Sequence, residues 1–228
     1  MNRRLLLACL FLLVSCGRPL TTGEQEFAAT LFGPEFDPGP VRVASFNGVD
    51  GITTTRPKRP RVACRERIWP EPKTDTVSVG TAAFVLFNQI NISSEIYFDD
   101  YMSAWPETFS LPAAMLIAHE MTHIWQWQNR ARTGYHPLKA AQEHKPGTDP
   151  YLLEFTADSR FLDFPYEQQG AIVEEYVCCR SLDPQGSRTQ RLHKMLKATF
   201  PVEALDHHLN PRRVKLPWDG AKVRGICS

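Results

Sequence analysis

The segment His119-Glu120-Met121-Thr122-His123 constrains this chain more than any other part of the sequence. Residues four apart lie on one face of an α-helix, so His119 and His123 can direct imidazole nitrogens at one metal ion. Glu120 is one residue round from His119 and can act on a metal-bound water without being a ligand. A catalytic site of this kind needs a third protein ligand and an open fourth position. The rest of the chain must therefore supply that third ligand.

The residues around this motif predict a helix over about residues 111–130. Ser110 is a suitable N-cap, and Pro112 is tolerated in the first helical turn. Apolar residues occur on several sides of the helix, so we expect it to be buried on more than one face. Histidines and a glutamate in such a helix carry a desolvation cost unless a metal ion or hydrogen bonds compensate. A pair of hydrogen-bonded core histidines is the alternative, and the glutamate in register favours zinc.

Two downstream glutamates are candidates for the third ligand. Glu154 begins Glu-Phe-Thr-Ala-Asp, which resembles the Glu-x-x-Ala-Asp of several gluzincin peptidases. Glu167 follows Pro165, a residue typical of a helix start. Gly170 and Ala171 would share a helical face with Glu167, and such small residues would let this helix approach the first one closely. The residues alone leave both candidates open.

The remaining patterns predict further elements and supporting groups. Thr21 and Glu24 match a capping box, so a helix should begin there and end near Gly33. Residues 41–44, 76–87 and 94–98 are expected in strands, and residues 188–198 in an amphipathic helix. Groups that could orient a histidine or donate to an oxyanion are Gln126, Glu174, Tyr151, Tyr166, His136 and His144. A solvated Glu174 is the simpler expectation.

The first residues are typical of an export signal. Arg3 and Arg4 form a basic start, and residues 5–14 are an apolar run too short for a bilayer span of about 20 residues. The run ends in Leu-Val-Ser-Cys, similar to a bacterial lipobox, so we expect residues 1–15 to be a lipoprotein signal peptide and Cys16 to carry the lipid. An ordinary signal peptide is the alternative. Both interpretations take the protein out of the cytoplasm, and with the lipid on Cys16 we expect it in the bacterial cell envelope, facing the periplasm or the exterior.

Export gives the cysteines that follow the leader an oxidising environment, in which disulfides are stable. Four cysteines allow three pairings. A bond between adjacent cysteines is strained, so we expect each member of the Cys178-Cys179 pair to bond to Cys64 or Cys227. A cysteine-ligated zinc site is the alternative, and the lack of a Cys-x-x-Cys spacing counts against it.

Composition favours one globular domain. The 228 residues are 43% hydrophobic and 22% charged, which is ordinary for a soluble protein. The formal net charge of +1 gives no electrostatic basis for nucleic-acid binding. We expect residues 16–205 to form the domain, with a Pro/Arg-rich solvated loop at about 47–75, and residues 206–228 to be a basic extended tail. A lipid or partner contact is the alternative for the basic run in that loop.

The sequence resembles the vgr-related proteins, a family of small bacterial proteins that are associated with type VI secretion genes and carry a zincin-like core. The similarity covers most of the mature chain, including Arg18-Pro19-Leu20-Thr21, Ile96-Tyr97-Phe98, His119 to Gln126 and Glu167-Gln168-Gln169. The family has an acidic residue where Glu167 stands and no glutamate matching Glu154. The resemblance therefore implies Glu167 as the third ligand. The lipobox leader, the Pro-rich insertion and the basic tail depart from the family pattern.

The motif and the resemblance together predict an α+β, zincin-like fold. A small N-terminal sheet region should pack on a helical core that carries the motif helix and a downstream Glu-bearing helix. We expect a gluzincin-type peptidase in which His119, His123 and Glu167 bind Zn²⁺ and Glu120 activates water to cleave a peptide or protein substrate. Membrane attachment through Cys16 and a role as a secretion-system component are also expected. The alternative is a non-catalytic secretion-system or envelope interaction module with a structural or vestigial zinc site.

Overall fold

A computed structural model describes residues 17–145, 148–156, 158–202 and 213–228. The predicted signal peptide, Cys16 and the first part of the predicted tail lie outside these ranges. Within the described ranges, no helix combines the length and apolar character needed to cross a membrane. The secondary structure is α+β, as predicted, with small sheets and a helical core.

The helices and strands alternate irregularly along the chain. The α-helices are α1 (Thr22–Phe32), α2 (Cys64–Arg67), α3 (Leu111–Gln128), α4 (Arg130–Thr133), α5 (Pro137–Ala141), α6 (Tyr166–Leu182) and α7 (Ser187–Lys197). The strands are β1 (Arg42–Phe46), β2 (Thr53–Pro57), β3 (Thr76–Gly80), β4 (Ala83–Leu86), β5 (Gln89–Ser93), β6 (Phe109–Ser110) and β7 (Val214–Lys215). The predicted helices at the capping box, at the histidine motif, after Pro165 and near residue 188 are all present.

The strands form three small sheets. The largest has the order β1-β5-β4, with β5 parallel to β1 and antiparallel to β4. Strands β2 and β3 form an antiparallel ribbon, and β6 pairs in parallel with β7. The last pair joins the C-terminal segment to the residues that lead directly into α3.

Helix α3 is the centre of the hydrophobic core and packs against α6. Its residues from Ala113 to Gln126 are buried except for Leu116, which confirms that more than one face is covered. Trp125 has no exposed surface and meets Phe161 and Phe200 in edge or tilted ring contacts. Because the polar motif lies on this buried helix, its side chains are removed from bulk water.

The prediction of a strand at residues 94–98 is wrong. Ser94–Ile96 is a 3₁₀-helix, and the strand β5 ends one residue earlier. The side chain of Ser93 accepts a hydrogen bond from the Glu95 N–H, and the carboxylate of Asp50 accepts bonds from Ser93 and Ser94. The first bond is local, whereas the bonds to Asp50 span 43 and 44 positions; together they take the place of the bonds that a longer strand would have made.

The Pro/Arg-rich segment has more structure than the predicted solvated loop at residues 47–75. It contains β2 and α2, and Arg65 in α2 is only 6% exposed. Arg59 forms ion pairs with Asp149 and Glu66 at 2.5 and 3.0 Å. The arginines of this segment therefore attach it to the rest of the domain, which composition alone did not indicate.

Two disulfides connect distant parts of the chain to α6. Cys64 bonds to Cys178, and Cys179 bonds to Cys227. This is one of the arrangements expected from the strain of an adjacent pair. The first bond fastens α2 to α6. The second fastens the described end of the chain to α6, so this part of the predicted tail is anchored.

Candidate metal centre

Helices α3 and α6 bring together three of the predicted site residues. His119 and His123 lie on α3, and Glu167 lies in the first turn of α6; one possible ligand atom from each lies within 4.8 Å of the others. The Glu167 Oε2 atom is 3.4 Å from His119 Nε2 and 3.5 Å from His123 Nε2. The three side chains are at most 9% exposed. This is a compact set of two imidazoles and one carboxylate.

Gly170 permits the close approach of the two helices at this point. A Cβ atom at position 170 would lie 2.7 Å from His119 Nε2, which no ordinary contact allows. Glu143 fixes the start of α6, because its carboxylate accepts hydrogen bonds from the N–H groups of Tyr166 and Glu167. The small residue and the capping carboxylate together hold Glu167 opposite the histidines.

The second nitrogen of each histidine ring faces a polar group behind the site. His123 Nδ1 is 2.8 Å from Gln126 Oε1, and the Gln126 amide donates to Gln169. His119 Nδ1 is 3.5 Å from Glu174 Oε2. Donation of an Nδ1–H to each oxygen leaves both Nε2 atoms free to act as ligands. Glu174 is therefore not the solvated glutamate that was expected.

The donor set fits a metal ion. With both Nδ1 atoms acting as donors, neutral rings point Nε2 lone pairs at the Glu167 carboxylate, and only a cation between them makes this favourable. Ligand atoms at about 2.0–2.1 Å from a tetrahedral zinc ion lie roughly 3.3–3.4 Å apart. The separations of 3.4 and 3.5 Å are close to that value.

The pKa shifts of the site residues show that the site favours positive charge. Burial acts to lower the pKa of His119, but Glu167 and Glu174 outweigh it and raise the pKa to about 10. Burial acts to raise the pKa of Glu167, but the two histidines hold it far below its usual range. The same carboxylates that favour a proton on the imidazoles would favour a metal cation bound between them.

Glu120 differs from the three converging residues. It lies beside them on α3 and is 5% exposed. Its Oε2 atom is buried and makes no hydrogen bond within the described part of the chain. Burial raises the pKa of its carboxyl group. An oxygen without a partner is costly to bury, so its retention here favours a role in proton transfer.

Aromatic side chains cover the site. The Tyr135 ring stacks on the His123 ring with centroids 5.8 Å apart, and the Tyr151 ring lies 5.6 Å from the His119 ring. His144 Nε2 is 3.0 Å from the Tyr151 hydroxyl and 3.7 Å from Glu167 Oε1. Burial raises the pKa of both tyrosines, so each keeps its hydroxyl proton.

The remaining candidates lie in other positions. Glu154 is exposed on an irregular segment and belongs to neither group of potential metal ligands among the described residues. His136 accepts a hydrogen bond from the N–H of Leu138 at the start of α5. Tyr166 hydrogen-bonds to a backbone carbonyl at 3.4 Å. Sequence reasoning did not identify Tyr135, because no spacing relates it to the histidine motif.

The second group of potential ligands is already in use. Cys64, Cys179 and Cys227 have sulfur atoms within 4.8 Å of one another. All three are disulfide-bonded, so none offers the thiolate that zinc requires. The cysteine-ligated zinc site considered as an alternative is therefore absent from the described residues.

Comparison with known proteins gives one informative match. No family model matches the chain, and no curated protein matches it significantly. Among solved structures, the fold is similar to the effector domain of Pseudomonas aeruginosa VgrG2b, with a TM-score of 0.52 and 21% sequence identity. The match covers 82% of this chain and 86% of that one. The chain therefore shares the fold of that effector domain.

Proposed function

We propose that this chain is a zinc-dependent peptidase of gluzincin type, attached to the bacterial envelope by a lipid on Cys16. The convergence of His119, His123 and Glu167 carries the proposal. Two histidines and a glutamate are the protein ligands of one well-known type of catalytic zinc site. Such a site would hydrolyse peptide bonds in a peptide or protein substrate.

The side chains of the site have separate roles in this mechanism. His119 and His123, through Nε2, and Glu167, through Oε2, would hold Zn²⁺, which when bound lowers the pKa of water and polarises a carbonyl. Glu120 accepts a proton from the attacking water on its unpaired carboxylate oxygen and returns it to the departing amine nitrogen. Tyr151 and His144 lie over the site and can donate hydrogen bonds to the substrate oxygen.

Metal analysis of purified variants tests the ligand set. The unmodified protein should bind one zinc ion per chain. Glu167→Ala should have a much lower zinc content, because it lacks one of the three protein ligands. Glu154→Ala is the matched control, since Glu154 is exposed and lies outside the group of ligand atoms. Equal zinc content in all three proteins would show that the ligand assignment is wrong.

Activity of the Glu120→Gln variant tests the mechanism. Glutamine has nearly the same shape but cannot accept the proton, so zinc content should be unchanged and peptide hydrolysis should fall by about 10²–10⁴-fold. Cleavage of a broad peptide library, measured by mass spectrometry, gives the readout. Turnover equal to that of the unmodified protein would exclude Glu120 as the proton acceptor.

A second candidate function is a non-catalytic interaction module with a structural or vestigial zinc site. The observation that favours it is the cover over the site, since both imidazoles pack beneath tyrosine rings and the ligand side chains are at most 9% exposed. Such a protein would bind zinc and cleave nothing in the peptide library. Recovery of a secretion-machinery protein in pull-downs would support it.

A place in type VI secretion is part of both candidates. It is supported by the sequence resemblance to vgr-related proteins and by the fold shared with a VgrG2b effector domain. Deletion of the gene, followed by a secretion and competition assay, measures it directly. Unchanged secretion and unchanged competition would remove this part of the proposal while leaving the metal centre intact.

A further inference from the structure

A basic cavity lies beside the candidate metal centre and has no role in the proposed peptidase mechanism. It has a volume of about 300 Å³ and is formed by β2, α2, the residues that flank α2, and α6. Its polar and aromatic lining consists of Arg56, Arg59, Arg61, Arg65, Glu66, Trp69 and Glu174. Four guanidinium groups around so small a space are an unusual concentration of one charge.

Two of the four arginines are neutralised by neighbouring carboxylates. Arg59 pairs with Asp149 and Glu66, and Arg65 pairs with Glu174 at 3.2 Å. These ion pairs consume the acidic groups that line the cavity. The four arginines thus face three carboxylates, Asp149, Glu66 and Glu174, so one positive charge remains in excess.

Arg56 and Arg61 donate hydrogen bonds to backbone carbonyls, whereas Arg59 and Arg65 pair with carboxylates. Arg56 donates to the carbonyl of Pro57 at 3.0 Å. Arg61 donates to the carbonyls of Glu66 and Trp69 at 2.9 Å and of Arg67 at 3.4 Å. Neither has a carboxylate within ion-pair distance among the described residues. Burial and the charge of Arg59 lower the pKa of Arg56. A bound anion would relieve that repulsion.

The wall of the cavity is held in place before any ligand arrives. The Cys64–Cys178 disulfide fastens α2 to α6. Arg65 is 6% exposed, bonds to the carbonyl of Tyr151, and keeps a buried Nε–H without a hydrogen-bond partner in the described chain. Rigid placement of donors lowers the entropy lost when a ligand binds.

We propose that this cavity is a binding site for an oxyanion, a phosphate or carboxylate group, held by Arg56 and Arg61 beside Trp69. The Arg56 guanidinium gives one donor to a backbone carbonyl and can still donate two parallel hydrogen bonds to either kind of oxyanion, and Arg61 adds its positive charge. The cavity volume accommodates a small solute or the charged end of a larger molecule. Trp69 is 44% exposed and reports on the environment of the cavity.

The oxyanion site is separate from the metal centre. Glu174 forms their common wall: it lines the cavity, and its Oε2 atom lies 3.5 Å from His119 Nδ1. The cavity is thus behind the imidazole, on the side away from the Nε2 atom that faces Glu167. The inference does not depend on peptidase activity, and an inactive protein would still have the site.

Anion titrations test the proposal. Inorganic phosphate and succinate are added in separate titrations at constant ionic strength, and binding is followed by calorimetry and by tryptophan fluorescence. We expect saturable binding of one anion per chain. Arg56→Gln and Arg61→Gln should each weaken it by about tenfold, because each removes a charge-assisted hydrogen bond.

Two controls separate the cavity from other sites. Arg160→Gln removes an exposed arginine that is absent from the cavity wall and should leave binding unchanged. Repeating the titration after zinc removal should also leave it unchanged, whereas an anion bound to the metal would be lost. Arg61→Lys keeps a positive charge and an N–H donor at this position. It should therefore bind the anion more tightly than Arg61→Gln and less tightly than the unmodified protein.

Each outcome of the anion titrations either supports the oxyanion site or overturns it. Preference for phosphate or for succinate identifies the kind of oxyanion. Absence of saturable binding for both anions at millimolar concentrations overturns the proposal. So does an equal loss in Arg56→Gln and Arg160→Gln, because that pattern indicates diffuse attraction to surface charge. Loss of zinc from Glu167→Ala would bear only on the metal centre.

Discussion

Glu167 and Gly170 lie one turn apart on α6, and both face the Nε2 atom of His119. Glu167 supplies the carboxylate, and Gly170 leaves room for the His119 ring against the helix. A side chain at either position affects the other, because both face the imidazole. At the residue scale, the metal centre therefore depends on an absent side chain as much as on the ligands.

Gly170→Ala should impair the metal centre. The added methyl group would lie 2.7 Å from His119 Nε2, so the ring or the helix must move. We expect a loss of about 1–3 kcal/mol in unfolding free energy from overpacking, together with weaker zinc binding. Denaturant unfolding and a competitive zinc titration measure the two effects.

Gly80→Ala is the matched control for that experiment. Its added Cβ would find its nearest neighbouring atom at 4.0 Å, in open space at the end of β3. Both variants add one methyl group to the chain, but only one adds it against a histidine. Equal zinc affinity in the two variants would contradict the role given to Gly170.

The residues of the site were predictable to different degrees. The histidine motif fixed two imidazoles and Glu120 from spacing alone, since a helix places residues four apart on one face. The choice between Glu154 and Glu167 needed a family resemblance, because local patterns suited both. Tyr135 could not be predicted, because its contact with His123 depends on how the chain turns after α4.

At the scale of elements, the β2–α2 segment is attached by ion pairs to a distant part of the chain. Arg59 donates to both carboxylate oxygens of Asp149, at 2.5 and 2.7 Å. Arg65 bonds to the carbonyl of Tyr151, whose ring covers His119. The segment therefore holds the stretch of chain that lies over the metal centre.

Asp149→Asn should destabilise the protein in a pH-dependent manner. Burial acts to raise the pKa of Asp149, but the bonds and charge of Arg59 outweigh it and lower the pKa. A lowered pKa in the folded state stabilises the protein above the unfolded-state value of about 3.9, and this stabilisation disappears as the pH falls through the folded-state pKa. The variant should thus lose about 1–3 kcal/mol at pH 7, and the loss should shrink as the pH falls below about 3.9.

Urea unfolding at several pH values measures this effect. Asp75→Asn is the control, because Asp75 is 92% exposed and its pair with Lys58 is solvated. We expect no measurable loss for the control at any pH. A difference between Asp149→Asn and the unmodified protein that stays constant down to pH 3 would show that the ion pair is not its source.

The sequence indicated most helices correctly but not this attachment. Capping residues and apolar spacing are local signals, and they located α1, α3, α6 and α7. The pair between Arg59 and Asp149 joins residues 90 positions apart, which no local pattern encodes. The strand expected at residues 94–98 failed for the same reason, since Asp50 bonds to Ser94 across 44 positions and no alternating pattern encodes that contact.

At the scale of the whole molecule, both disulfides meet on α6. They tie α2 and the described end of the chain to the helix that carries Glu167. Replacement of Cys179 and Cys227 by serine together should cost about 2–4 kcal/mol, because a 48-residue loop is then unconstrained in the unfolded state. Denaturant unfolding of the double variant measures the loss, and an unchanged midpoint would contradict it.

The proposed attachment to the membrane through a lipid on Cys16 is tested on the whole chain in its cell. If Cys16 is lipidated, Cys16→Ser should move the protein from the membrane fraction to the soluble fraction and abolish incorporation of a labelled fatty acid. Fractionation and labelling measure the two outcomes. A variant that still incorporates the label would exclude Cys16 as the attachment point.

The adjacent cysteines of α6 impose an order on oxidative folding. If the chain enters an oxidising compartment N-terminus first, we expect Cys64 to pair with Cys178 before Cys179 meets its partner 48 residues later. Throughout that interval, a thiolate at Cys179 lies next to a disulfide that it can attack and reshuffle. The arrival of Cys227 ends the exchange. The bond from the C-terminal segment thus ends thiol–disulfide exchange at α6. Disulfide-exchange catalysts should therefore affect the yield of correctly paired protein most before Cys227 has bonded.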